Sequence, residues 1–275
     1  MTKLTFDKRI ALLGLGKMGG ILLEALLKQG LLTPGQVVAT VRHSEKTEVL
    51  SSQFQIPVIT DNAEAVRRAE VILICVKPPT VREVCREITS QLKPDRLVIS
   101  IAASVPTHYI EESLGSGIPV VRAMPNTPCE VGEGMTGICR GKSAGGPHLE
   151  TARRLFETVG KTVVVDEKHM NAVTGLSASG PAFIYIILES LAEAGVKVGL
   201  PRDVSTLLAA QTMLGASRVV LDTGRHPALL KDTVTTPAGC TIDGILELEE
   251  GKLRVTLIKA VLKAARRAGE LLIED

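Results

Sequence analysis

Residues 10–19 read IALLGLGKMG. Four consecutive apolar residues, Ile10 to Leu13, run straight into Gly14, Gly16 and Gly19 at G-x-G-x-x-G spacing. An apolar run without polar alternation describes a strand covered on both faces, as in a parallel sheet. Met18, Ile21, Leu22, Ala25 and Leu26 then recur at helical spacing, and Gly30 suits a C-terminal stop. In a strand–turn–helix of this kind each glycine has its own task. The first permits the tight turn, the second lets a pyrophosphate approach the backbone, and the third lets helix and strand pack closely. Helix N-terminal amides then face the phosphates. The stretch predicts a dinucleotide site built on Gly14, Gly16 and Gly19.

The pattern continues outward. Further strands are expected at 37–41, 57–59, 71–76, 97–101 and 119–122, separated by helical patterns, and Asp61 followed by Glu64 resembles a helix N-terminal cap. Alternation of this kind implies an α/β Rossmann domain with a doubly wound, mostly parallel sheet. Residues 163–165 read as a last strand, and almost everything beyond reads as helix. The run AFIYIIL, residues 182–188, is apolar on every side, so its burial in a small domain calls for a neighbouring subunit. The boundary is expected near residue 165, dividing a dinucleotide-binding domain at 1–165 from an all-α domain at 166–275.

The C-terminal ends of the strands supply the remaining candidates, because such sheets bind ligands there. After the second strand the chain reads TVRHSEK. An NAD site usually places an acid at this point, whereas Arg42, Ser44 and Lys46 suit a ribose 2′-phosphate. NADPH is therefore the expected cofactor, with NADH as the alternative. Val76, Lys77 and Pro78 follow the fourth strand, Ala102 and Ala103 the fifth, and Pro125 and Asn126 the sixth. Small residues leave room for a nicotinamide ring, and an Asn amide can hold a carboxamide.

Composition narrows the field. A net charge of +2 and an aromatic set of two Tyr, four Phe and no Trp argue against nucleic-acid binding. The five cysteines are odd in number and lack CxxC pairing, which argues against a structural zinc or a disulfide framework and fits a reducing, cytoplasmic setting. The apolar run after Lys8 and Arg9 is too short for a signal peptide, and no uninterrupted apolar run reaches the roughly 18 residues of a membrane span. GLSAS at 175–179 misses the G-x-S-x-G nucleophile elbow, and the five histidines show no metal-ligand spacing. No metal is expected.

Two C-terminal blocks are more specific than the glycine motif: AVTGLSASGPAFIYIILESLAEAGVKVGLP at 172–201 and HPALLKDTVTTPAGCTIDGILELEEGKLR at 226–254. With GLGKMGG, CVKP, the alanine pair and Pro125–Asn126, they resemble the pyrroline-5-carboxylate reductase family over nearly the whole chain. The resemblance implies NAD(P)H-dependent reduction of L-1-pyrroline-5-carboxylate to L-proline. It also implies a helical domain interleaved with its twin in a homodimer, often assembled into rings of dimers. It places the cofactor at Gly14 to Gly19, hence also Lys17 and Met18, and at Asn62, Val76, Lys77, Pro78, Ala102 and Ala103. It places the substrate at Glu167 and in the loop TTPAGCT, with Thr236, Gly239, Cys240 and Thr241 as contacts. Thr241 and Glu167 are then the expected catalytic groups: a hydroxyl for the ring nitrogen and a charge near the iminium.

Two positions depart from the family pattern. Ala238 stands where a glycine is usual, and Thr233 where an asparagine is often found. The chain also resembles the β-hydroxyacid dehydrogenases at its start, but the Lys and Asn of their catalytic helix correspond to Ile184 and Leu188 here. A ketone needs an acid at its oxygen, which two aliphatic side chains cannot supply. A protonated cyclic imine accepts hydride directly. A reductase of a six-membered imine and a non-enzymatic NADP-binding module remain as alternatives.

Overall fold

The structure, a computed structural model, describes residues 6–115 and 117–271. The apolar runs become an eight-stranded sheet: β1 Ile10–Leu13, β2 Val37–Thr40, β3 Val58–Ile59, β4 Val71–Ile74, β5 Leu97–Ser100, β6 Val120–Met124, β7 Gly134–Arg140 and β8 Gly160–Val164. The spatial order is β3-β2-β1-β4-β5-β6-β7-β8, parallel throughout except where β6 meets β7. Chain order reverses between β1 and β4, so the crevice for a ligand opens at the C-terminal ends of these two strands.

Alternation along each strand feeds two separate cores. Ile10, Leu12 and Leu73 face one side with Leu22, Leu23 and Leu26 of α1 (Lys17–Lys28). α2 spans Thr47–Phe54. Ala11, Leu13 and Ile72 face the other side, covered by α3 (Asn62–Arg67), α4 (Val81–Ile88) and α5 (Thr107–Leu114). In α4 the buried residues Val81, Val84, Cys85 and Ile88 fall on one stripe, with charged residues between them. The Asp61 carboxylate caps α3 as expected, accepting from the Glu64 amide at 2.9 Å.

β7 is a strand that the sequence did not suggest. Its glycines, after Pro125, Pro128 and Gly132, read as loop chemistry. The structure shows why they stand in a strand: neighbours crowd it. A Cβ on Gly137 would lie 2.7 Å from Val173 Cγ1, and one on Gly134 would lie 2.8 Å from the Val159 carbonyl oxygen. The expected last strand is β8, which begins earlier than residue 163.

Packing divides the chain later than composition does. The described residues up to Ser179, joined by those from Lys263 onward, form one compact unit; Gly180–Leu262 form the other. α6 (Gly146–Glu157), α7 (Met170–Val173) and the π-helical turn Thr174–Ala178 thus belong with the sheet. For α7 and the turn, close approach at glycine is the reason. Gly137 admits Val173 of α7, and a Cβ on Gly175 would sit 2.6 Å from the Ala265 amide nitrogen.

The second unit holds α8 (Gly180–Lys197), α9 (Arg202–Thr223), α10 (Pro227–Val234), α11 (Cys240–Glu250) and the start of α12 (Leu253–Glu270). α8 and α9 form a hairpin whose close approach uses small residues: Ala192, Ser205 and Ala209 are buried, and a Cβ on Gly195 would lie 2.9 Å from Ser205 Cβ. The expectation that residues 182–188 are buried all round is not met within one chain. Tyr185 is 60% exposed, Ile186 63% and Leu207 of α9 68%. Glu167–Lys197 and Arg202–Thr223 are also long and apolar enough to cross a membrane by length and composition alone. Neither is an uninterrupted apolar run: polar residues such as Glu189 and Gln211 divide both, and in the first the π-helical turn adds the short α7 to the long α8.

Candidate active site

The dinucleotide turn assigns its three glycines three different environments. Gly14 has φ +94°, and a Cβ there would lie 2.6 Å from Val76 Cγ1, so this turn admits no side chain. A Cβ on Gly19 would lie 2.7 Å from the Gly14 carbonyl oxygen and 3.2 Å from Leu12 Cδ2, which is the helix–strand contact. A Cβ on Gly16 would meet nothing within 4 Å. Gly16 caps α1 without a side-chain hydrogen bond, leaving the first-turn amides of Lys17, Met18 and Gly19 uncapped beside open space. A bare helix N-terminus facing an open approach suits a pyrophosphate.

Beside this turn, Gly14, Arg42, Asn62 and Val76 line one cavity of about 200 Å³ together with Thr40, Thr60, Thr80, Glu83 and Glu87. The sequence reading passed over Thr40 and Glu87, and both organise it. The Thr40 hydroxyl accepts from the Gly14 amide at 3.2 Å and donates to Asn62 Oδ1 at 2.6 Å. Asn62 Nδ2 in turn donates to Glu87 Oε2 at 2.6 Å. Thr40 could have been found as the last residue of a strand at the binding edge. Glu87 had no local signal. Arg42 is exposed at the edge of this cavity, and Ser44 is exposed just beyond, at the start of the short turn Ser44–Lys46.

The opposite rim is built from neighbouring strands. Lys77 is exposed and Pro78 half-buried after β4, while Ala102 is buried and Ala103 half-buried after β5. Asn126 uses its amide within the protein: Oδ1 accepts from the Met135 amide at 2.8 Å, and Nδ2 donates to the Ser177 carbonyl at 3.2 Å. The amide expected to hold a carboxamide therefore stitches the segment after β6 to the π-helical turn. Glu167 is similarly engaged. Its Oε1 and Oε2 accept from the Thr107 amide and hydroxyl at 2.6 and 2.7 Å, and Arg122 Nη1 lies 3.8 Å from Oε1. Burial pulls the Arg122 guanidinium below its ordinary pKa, opposed by Cys139 and then by Glu167.

In the helical unit, the loop after α10 makes a tight turn. The Gly239 amide donates to the Thr236 carbonyl at 3.0 Å, Pro237 follows the first residue, and Ala238 has φ +57°. This is the pattern of a type II turn, whose third residue needs positive φ. The turn delivers Gly239 as the N-cap of α11, again without a side-chain cap, so the amides of Cys240 and Thr241 open the helix uncapped. Thr241 is half-buried, whereas Thr236 and Cys240 are exposed. Thr233 turns its hydroxyl back to the Leu230 carbonyl at 2.6 Å.

Other groups have structural tasks. The GLSAS stretch lies inside the helical run that contains the π-helical turn, not at a strand-to-helix elbow. His148 and His226 accept backbone amides at helix starts through Nδ1, from Gly145 at 3.0 Å and Ala228 at 3.2 Å. Burial pushes the thiols of Cys85 and Cys139 up to about 12 and that of Cys129 to about 11. Among the described residues, no three His, Cys, Asp or Glu side chains converge as metal ligands.

Comparison with known proteins agrees with this geometry. Residues 167–271 match the family described as pyrroline-5-carboxylate reductase dimerisation, and residues 9–104 match that described as NADP oxidoreductase, coenzyme F420-dependent. The pyrroline-5-carboxylate reductase of Methanosarcina acetivorans is 42% identical over 265 residues, covering 96% of this chain and 98% of its own. Among solved structures, the Plasmodium falciparum pyrroline carboxylate reductase with NADP bound has a TM-score of 0.88 at 29% identity, covering 98% of this chain and 99% of that one. The Coxiella burnetii pyrroline-5-carboxylate reductase has a TM-score of 0.87 at 34% identity, covering 97% and 99%. The exposed apolar helices of the second unit are what a dimerisation domain presents before it associates with itself. With full-length relatives above a third identical and both segments of the fold accounted for, the chain belongs to the pyrroline-5-carboxylate reductase family.

Proposed function

We infer that the protein is an NADPH-dependent reductase of L-1-pyrroline-5-carboxylate, forming L-proline, the last step of proline synthesis. NADPH, when bound, supplies the hydride that the cyclic iminium carbon accepts. The uncapped amides of Lys17, Met18 and Gly19 hold the pyrophosphate, and Arg42 and Ser44 hold the 2′-phosphate. Residues 76–78 and 102–103 flank the nicotinamide. In the helical unit, the amides opening α11 hold the substrate carboxylate, and the Thr241 hydroxyl hydrogen-bonds the ring nitrogen. A small charged substrate needs anchoring at both groups so that its reactive carbon is presented in one orientation.

The observation that carries this reading is the α11 N-terminus: a rigid Pro237–Ala238 turn, uncapped amides, and a half-buried hydroxyl on the second helical residue. The apolar faces of α8 and α9 support an interleaved homodimer; a ring of dimers and a cytoplasmic location are what the family resemblance implies. The test follows oxidation of NADPH and NADH with pyrroline-5-carboxylate, its six-membered homologue and the keto form of a 3-hydroxy acid. The five-membered imine with NADPH should give the highest kcat/KM. Preferred reduction of the keto acid would overturn the reading.

A further inference from the structure

Residues 101–107 run from β5 into α5 and include Ala102 and Ala103. This loop is strained. Ser104 has φ +68°, an unfavourable conformation for a residue with a Cβ, and its buried hydroxyl has no hydrogen-bond partner. Strain of this kind persists only where the surroundings over-determine the backbone. Here both ends are held. At the start, the Ala102 amide donates to the buried Ser100 hydroxyl at 3.3 Å. At the end, the Thr107 amide and hydroxyl both donate to Glu167, sixty residues away in sequence.

Glu167 is itself held from behind. Arg122 on β6 is only 3% exposed, pairs in register with Ser100 of β5, and places Nη1 3.8 Å from Glu167 Oε1. Its Nη2 donates to Asn171 Oδ1 at 3.5 Å. A buried guanidinium stripped of its carboxylate is strongly destabilising, so Arg122 helps to hold Glu167 in place. α5 has no side-chain cap from Pro106, so this carboxylate from the distant segment is its cap.

We propose that Glu167 is a positioning residue: backed by Arg122, it clamps the strained 101–107 loop so that Ala102 and Ala103 present a fixed wall to the nicotinamide half of NADPH. The proposal rests on the reading that this loop faces the cofactor, and it reassigns Glu167 from a direct charge on the substrate to a support of the rim. Both carboxylate oxygens are already occupied by Thr107, which suits a clamp.

The test uses Glu167→Gln and Thr107→Val in the full chain. Three quantities are measured: the Kd of NADPH by fluorescence titration, the Kd of 2′,5′-ADP, which lacks the nicotinamide half, and kcat and KM with pyrroline-5-carboxylate. Both variants should weaken NADPH roughly 5- to 20-fold while leaving 2′,5′-ADP within about twofold, and the double variant should be no worse than the poorer single one. A purely structural role would lower Tm and leave the two affinities equal in their response. A direct role on the substrate would lower kcat in Glu167→Gln alone, with Thr107→Val and NADPH binding unchanged. Either result overturns the proposal. Should Glu167→Gln fail to fold, Thr107→Val carries the same comparison. Absence of turnover in the unmodified protein would sink the proposed substrate, yet the two affinities would still decide the clamp.

Discussion

Gly16→Ala separates cofactor binding from folding. Gly16 has φ −89° and ψ −164°, which alanine adopts without strain, and the new Cβ would find no atom within 4 Å. Removing chain freedom from the unfolded state stabilises by about 0.4–1 kcal/mol, and losing glycine at an N-cap costs a similar amount. Stability should therefore stay within about 1 kcal/mol of wild type. The methyl group, however, occupies the open approach to the α1 amides. Holding a pyrophosphate off two amides removes two charge-assisted hydrogen bonds, each worth about 1.5–3 kcal/mol. The Kd for NADPH should rise at least about 100-fold. Gly19→Ala is the control. Its Cβ would press on the Gly14 carbonyl oxygen at 2.7 Å and on Cys75 Cβ and Leu12 Cδ2 at 3.2 Å. That overpacking should cost about 1–3 kcal/mol of stability. The assays are thermal unfolding and NADPH fluorescence titration. A folded Gly16→Ala protein that binds NADPH within threefold of wild type would refute the assignment of the pyrophosphate to this helix N-terminus.

Three further predictions follow from other sites. Thr241→Ala should lower kcat/KM for pyrroline-5-carboxylate by about 1–2 kcal/mol, as for a lost hydrogen bond to a charged group, and unchanged kinetics in a folded variant would remove Thr241 from the site. Ala238→Gly relieves a left-handed alanine but adds unfolded-state freedom, so its stability should stay within about 1 kcal/mol of wild type; Ala238→Val, β-branched at φ +57°, should raise the substrate KM. Equal KM values for the two would show that the turn is not the binding conformation. Stability should also fall above pH 9, because the unfolded chain loses thiol protons there while Cys85 and Cys139, pushed up to about 12, keep theirs. At pH 10 each such thiol contributes roughly 2 kcal/mol of loss, so Cys85→Ala should show a shallower decline in Tm between pH 8 and 10 than wild type. Identical slopes would contradict it.

The local chemistry of IALLGLGKMG was enough to predict the strand, the turn, the start of the helix and a dinucleotide site, because each of these requirements is met within ten residues; the choice of NADPH needed Arg42 and Ser44 after the second strand. The two cores were legible for the same reason: apolar strands and one-sided helices declare their buried faces by spacing alone. The polar turn at 235–241 was also legible, and the structure added the positive φ that makes Ala238 a costly choice. What escaped depends on neighbours distant in sequence. β7 is a strand whose glycines serve Val173 and Val159, so its composition reads as loop until those partners are in place. Glu167 and Asn126 carry the residue types of a reactive site, but their hydrogen bonds go to Thr107, Met135 and Ser177, partners 60, 9 and 51 positions away. A sequence states which groups can donate and accept. Only the packed chain decides which of them are already engaged, because hydrogen-bond partners are chosen by proximity in space.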